Sequence, residues 1–197
     1  MSKVAQKQLK RRTEIIETAL RLMNDTPFDA LSVSDICEAA DISIGSFYHY
    51  FNKKSDLLVG LLSLVDEALE EEVYPGLSHD SEPENLRLLA MGFAAYINKN
   101  DLERSRLISG IEPYDYTVSG QPRSLRLKST ELFRRGQAKG QITADCPAEE
   151  LTRLYLIALR GVAVDWTRHN GSYDIQATMD CFIRLFLQSL RADLPPL

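Results

Sequence analysis

Apolar side chains recur at spacings of three and four residues through almost all of this 197-residue chain, and no stretch alternates apolar with polar residues into a hairpin turn. That repeat belongs to helices that bury one stripe, so the expected fold is all-α. Hydrophobic residues make up 44% of the chain, ample for a packed core in one large domain or in a small domain fused to a larger one. No run approaches the roughly 18 consecutive apolar residues of a membrane span, and residues 1–12 are basic and polar. A cytoplasmic protein without a membrane partner is therefore expected.

The stripes define about nine helices. The first runs from about residue 6 to residue 24, with Ile15, Ile16, Ala19, Leu20 and Met23 inward and Pro27 just past its end. A short second helix opens at Ser32, whose hydroxyl caps free backbone N–H groups, while Asp35 suits the positive helix end. It stops near Asp41-Ile42. Ser43 caps a third helix, Ile44 to Tyr50, and Asn52 caps a fourth that starts at Lys53 and reaches Pro75-Gly76, a span of about 33 Å. Five more helices are placed near residues 83–99, 102–111, 122–139, 147–169 and 173–191, with residues 113–122 as the longest loop.

The formal net charge of −5 argues against nucleic acid at first sight. Its distribution does not: residues 1–54 carry eight basic and seven acidic side chains, and the remaining 143 carry fifteen and twenty-one. Five of the bases fall between Lys3 and Arg12 with no acid among them, which suits a polyanion as well as a solvated helix face. Cys37, Cys146 and Cys181 are far apart and lack metal-ligand spacing with His49, His79 or His169, so they read as reduced thiols and no metal site is expected. No catalytic residues and no cofactor are expected either: the histidines are dispersed, and there is no Gly-rich phosphate loop, His-Glu-x-x-His or Cys-x-x-Cys.

Two helices joined by a tight turn, the second short and carrying polar and aromatic groups, suit a helix laid across a DNA backbone followed by one placed in the major groove. In residues 43–50, Gly45 removes bulk where backbone approaches phosphate, Tyr48 and His49 reach phosphates or base edges, and Ile44 or Phe47 meets a thymine methyl. Ser32 and Ser43 at the helix starts, and Lys53 and Lys54 beyond the third helix, complete the DNA-facing set. Lysines opening a helix oppose its dipole, which phosphate opposite them would offset. A packed three-helix cap containing Phe47, Tyr50 and Phe51 is the alternative, as part of a protein-interaction module that does not bind DNA.

The run from Leu31 to Leu58 resembles the DNA-binding signature of TetR-family repressors. Its capping serine, Ile36, Ala40, Ser43-x-Gly45, Tyr48-x-x-Phe51 and Lys54-x-x-Leu57 fall at the family's spacing, and the match covers residues 9–60. Asp41 replaces the glycine common at the turn; aspartate tolerates left-handed backbone. The resemblance implies a DNA-binding domain at residues 1–52 and a helical ligand-binding and dimerisation domain at 53–197. It also implies a homodimer formed by the last two helices, a pseudo-palindromic DNA operator, and repression relieved by a small-molecule effector that displaces the fourth helix.

Leu154, Ala158 and Val162 on one of those helices and Met179, Phe182 and Phe186 on the other are the expected dimer contacts. Packing within their own subunit is the alternative for each. Phe93, Tyr96, Tyr114, Tyr116, Phe133 and Trp166 supply aromatic surface in the region the resemblance assigns to the ligand, and are expected to line its pocket or to join the core.

Overall fold

The computed structural model describes residues 3–23, 25–100, 102–110, 117–118 and 121–192. Among these, nine α-helices follow in order: α1 (Lys3–Met23), α2 (Val33–Ala39), α3 (Ile44–Tyr50), α4 (Asp56–Glu72), α5 (Glu82–Lys99), α6 (Leu102–Gly110), α7 (Ser124–Ala138), α8 (Ala148–Arg168) and α9 (Ile175–Gln188). A 3₁₀ turn, Tyr74–Gly76, follows α4. One short antiparallel rung, in which Thr117 pairs with Pro122 and Val118 with Gln121, departs from the strand-free expectation without changing the all-α class.

The chain packs as two units, Met1–Leu62 and Ser63–Leu197, so the division falls inside α4, ten residues beyond the boundary expected from sequence. The interior of the first unit is filled by Ile15, Ile16, Ala19 and Met23 of α1, Leu31, Ile36 and Cys37, Phe47 and Phe51, and Leu57 and Leu61 of α4. These are the stripes the periodicity picks out.

In the second unit α5 lies against α7, α8 and α9, and α8 also meets α6, α7 and α9. Tyr155 is fully buried on α8, and its hydroxyl donates to the Leu86 carbonyl of α5 at 2.7 Å. Helix starts follow local chemistry: Asp174 caps α9 through the N–H groups of Gln176 and Ala177 at 2.9 and 3.1 Å. The first turn of α7 has no capping side chain of its own, and Asp66 of α4 takes that place, accepting from the backbone of Ser124 and Leu125 and from the Arg123 guanidinium.

α4 is the element that departs most from expectation. It begins at Asp56 instead of Lys53 because the Asp56 carboxylate reaches back to the N–H groups of Asn52 and Lys53 at 2.9 and 3.2 Å. Its 17 residues span about 26 Å. No described helix is long and apolar enough to cross a membrane.

Candidate nucleic-acid interface

The helix-turn-helix is built by two serine caps around one left-handed residue. Ser32 Oγ accepts from Asp35 N at 3.1 Å while Asp35 Oδ2 accepts from Ser32 N at 2.8 Å, a reciprocal box that starts α2. Those bonds hold the Asp35 carboxyl below its ordinary pKa. α2 ends where Asp41 turns the backbone to a φ of 51°, a conformation aspartate adopts at little cost. Ser43 Oγ then accepts from Ser46 N at 3.1 Å and starts α3.

α3 has an inner and an outer face. Phe47 is 0% exposed and packs 5.1 Å from the Phe51 ring, so the sequence expectation that it meets a thymine methyl is corrected: its four-residue offset from Phe51 puts it on the buried side. Ile44 and Tyr48 are 51% and 52% exposed, and Gly45, Ser46 and His49 are exposed beside them. A methyl added at Gly45 would meet only Ser43 Oγ, at 3.8 Å, so the protein's own packing does not require glycine there.

The basic residues divide. Lys7, Lys10 and Lys53 are exposed. Arg12 stands over the Phe51 ring, 5.1 Å from its centroid, and Arg11 donates from Nη1 to Glu14 and from Nη2 to the carbonyls of Ala40 and Asp41. Lys54 Nζ donates to the carbonyls of Phe28, Asp29 and Leu31. Because α4 starts at Asp56, neither Lys53 nor Lys54 lies in its first turn, and the helix-dipole argument for phosphate at these two lysines does not apply. The bracing by Arg11 was not visible in sequence, where it sits in an unbroken basic run.

The other expected site residues separate likewise. Phe93 and Phe133 are buried, the latter edge-on to Tyr155 at 5.7 Å. Trp166 is buried too, and its Nε1 donates to the Tyr173 carbonyl, so of the two places the sequence left open to them, pocket lining or core, Phe133 and Trp166 are found in the core. Tyr96 is half-buried and its hydroxyl accepts from Arg104 at 3.0 Å; burial raises its pKa. Tyr114 and Tyr116 lie outside the described residues.

Of the expected dimer contacts, Leu154 and Phe182 are exposed and Ala158 and Phe186 half-buried, whereas Val162 and Met179 are interior to their own subunit. Ile157 and Leu185, at 40% and 64% exposure, were missed; each lies three residues along the stripe from an expected contact. Among the described residues no group of three or more His, Cys, Asp or Glu could hold a metal ion.

Residues 15–61 match the family model of bacterial regulatory proteins, tetR family. The chain is 21% identical over 182 residues to the HTH-type transcriptional repressor KstR of Mycolicibacterium smegmatis, covering 91% of this chain and 88% of that one. Among solved structures it resembles Thermus thermophilus FadR, a TetR-family repressor in complex with lauroyl-CoA, at a TM-score of 0.73 and 22% identity over 94% of this chain and 98% of that one. It also resembles Bacillus subtilis FadR in complex with stearoyl-CoA, at a TM-score of 0.68 and 16% identity over 91% and 99%. With the capped α2–α3 pair lying inside the matched segment, the chain carries the helix-turn-helix of bacterial regulatory proteins of the tetR family.

Proposed function

We propose that the chain is a homodimeric repressor that lays α3 in the major groove of each half of a pseudo-palindromic operator and leaves it when a small molecule binds the second unit. The observation that carries this reading is the outer face of α3, where Ile44, Tyr48 and His49 stand exposed around a glycine whose missing side chain the protein's own packing does not explain. A fold-only role for this helix would account for Phe47 and leave that face without a purpose. In this reading Tyr48 and His49 meet base edges or phosphates and Ile44 a thymine methyl, with Gly45 bringing the backbone close. The hydroxyls of Ser32 and Ser43 lie at the helix starts nearest the phosphates, and Lys53, Lys7 and Lys10 neutralise them.

The DNA-binding domain is residues 1–52, with Lys53 just beyond its end, and the effector and dimer surfaces belong to 53–197; α4 runs across the division between the two packed units, which falls after Leu62. The exposed stripe of Leu154, Ile157, Phe182 and Leu185 supports a dimer through α8 and α9. The two acyl-CoA complexes among similar structures favour a fatty acyl thioester as effector. Tyr96, an aromatic body whose hydroxyl meets Arg104 on α5–α6, suits such an effector's polar end, and Tyr114 and Tyr116 remain proposed for the same site.

The test is selection of genomic fragments by the purified protein at near-physiological salt, then footprinting with and without lauroyl-CoA. The expected result is a two-fold protected site with half-sites about 34–36 Å apart, lost on adding the thioester. No enrichment over bulk DNA would favour a protein-interaction module. Protection that persists with lauroyl-CoA would remove the proposed effector class and leave the operator reading standing.

A further inference from the structure

A lysine ammonium has three N–H donors. All three of Lys54's find an acceptor within its own unit: the carbonyl of Phe28 at 2.8 Å, that of Leu31 at 2.8 Å and that of Asp29 at 3.3 Å. The ammonium also stands 4.6 Å from the centroid of the Phe28 ring, adding a cation–π contact. A phosphate oxygen approaching Lys54 would have to displace one of these carbonyls. The carbonyls belong to the turn that leads into Ser32, the cap of α2.

The far end of α2 is held in the same manner. Arg11 Nη2 donates to Ala40 O at 3.2 Å and Asp41 O at 3.3 Å, where the chain turns from α2 into α3, and Nη1 is engaged by Glu14 at 2.8 Å. α2 is thus gripped at both ends by cations from outside it, one on α1 and one on the turn before α4. Backbone carbonyls at these points would otherwise need water, and a charged donor makes the stronger bond.

We propose that Lys54 and Arg11 serve DNA binding as positioning residues: they fix α2 and through its turn the pose of α3, while other cations, Lys53 foremost, neutralise phosphate. This rests on the operator reading above. The two roles leave different marks on salt dependence. Each phosphate neutralised by a side chain adds about 0.9 to the slope of log affinity against log salt, whereas a misplaced recognition helix lowers affinity without changing that count.

The experiment measures operator affinity across a salt series for wild type, Lys53→Met, Lys54→Met, Lys54→Arg and Arg11→Lys, with amide exchange at residues 28–31 and 40–41. Lys53→Met should lower the slope by about 1. Lys54→Met should bind roughly tenfold more weakly with the wild-type slope and faster exchange at Ala30 and Leu31, the size expected for losing charged hydrogen bonds. Lys54→Arg separates the roles even if Lys54→Met fails to fold: a planar guanidinium can still meet a phosphate but does not fit the three-carbonyl seat, so it should not restore affinity. Arg11→Lys should weaken binding at unchanged slope, with exchange rising at residues 40–41. A slope that falls by about 1 in Lys54→Met with exchange unchanged, or full rescue by Lys54→Arg, would overturn the proposal and leave the operator reading intact. Absence of salt-dependent binding by the wild type would overturn the operator reading, and this inference with it.

Discussion

Gly45 presents a hydrogen where any other residue would present a carbon, and beyond its chain neighbours and its own helix backbone the nearest atom to where that carbon would sit is Ser43 Oγ, at 3.8 Å. Glycine in a helix is disfavoured relative to alanine by up to about 1 kcal/mol, so the chain forgoes some stability at this position. Gly45→Ala is therefore expected to leave the melting temperature unchanged or slightly raised while reducing operator affinity at least several-fold. Calorimetry and a binding titration on one preparation check both halves. Equal loss of stability and affinity would mean that glycine serves the fold. Residues of this kind were legible in sequence because their chemistry is local: the serine caps and the aspartate turn each depend on neighbours within three positions. Phe47 was not, since a helix of seven residues offers too few turns for its stripe to declare which face is inward.

Between elements, the second unit contains two buried carboxylates whose pKa values are shifted in opposite directions. Asp66 of α4 meets Arg123 through two bonds at 2.8 and 3.1 Å and caps α7; burial raises its pKa against the pull of the arginine. Removing one partner of a buried pair typically costs about 3–5 kcal/mol. Asp66→Asn keeps an oxygen for the α7 N–H groups while losing the charge, and Asp66→Leu loses both, so the leucine variant should be less stable by a further ~1 kcal/mol. Denaturant melts of the two variants check that ordering; leucine as stable as asparagine would remove Asp66 as the cap.

Glu82 at the start of α5 is the opposite case. Burial would raise its pKa, but bonds from Lys139, Asn85 and Arg135 outweigh burial and lower it. An acid whose folded pKa is lowered stabilises above its unfolded pKa, and that stabilisation is lost as pH falls through the folded value. Glu82→Gln should accordingly flatten the decline in stability as pH falls below the ordinary glutamate value of 4.5, measured by denaturant melts at each pH. A decline as steep as the wild type's would show that Glu82 contributes nothing to it. Neither carboxylate could be assigned from sequence, because its partners lie more than about 50 residues away for all but Asn85. The start of α4 was misjudged for a nearer reason: Asn52 has capping chemistry, but Asp56, four residues on, captures the same backbone groups.

At the scale of the molecule, what remains exposed says most about assembly. Leu154 and Ile157 of α8 and Phe182 and Leu185 of α9 are large apolar side chains in water, on two helices that pack on each other. The periodic stripes foretold that these two helices would carry apolar faces; they could not divide each face between interior and exterior, which is why Val162 and Met179 proved internal. Gly161 sits on the exposed part of α8 with nothing but its chain neighbours and own helix backbone within 4 Å of a would-be Cβ, so a partner helix could cross closely there. Because Phe182 and Leu185 are 45% and 64% exposed, replacing both with glutamate should leave the subunit folded while placing two like charges from each copy opposite one another. The double variant is expected to sediment as a monomer with an unchanged helical circular dichroism spectrum. It should protect each operator half-site independently and much more weakly, because the second half-site would no longer be presented by a linked partner. If the variant remains dimeric and binds the full site as before, the two-fold axis lies elsewhere on the chain, and the apolar stripe must be assigned another occupant.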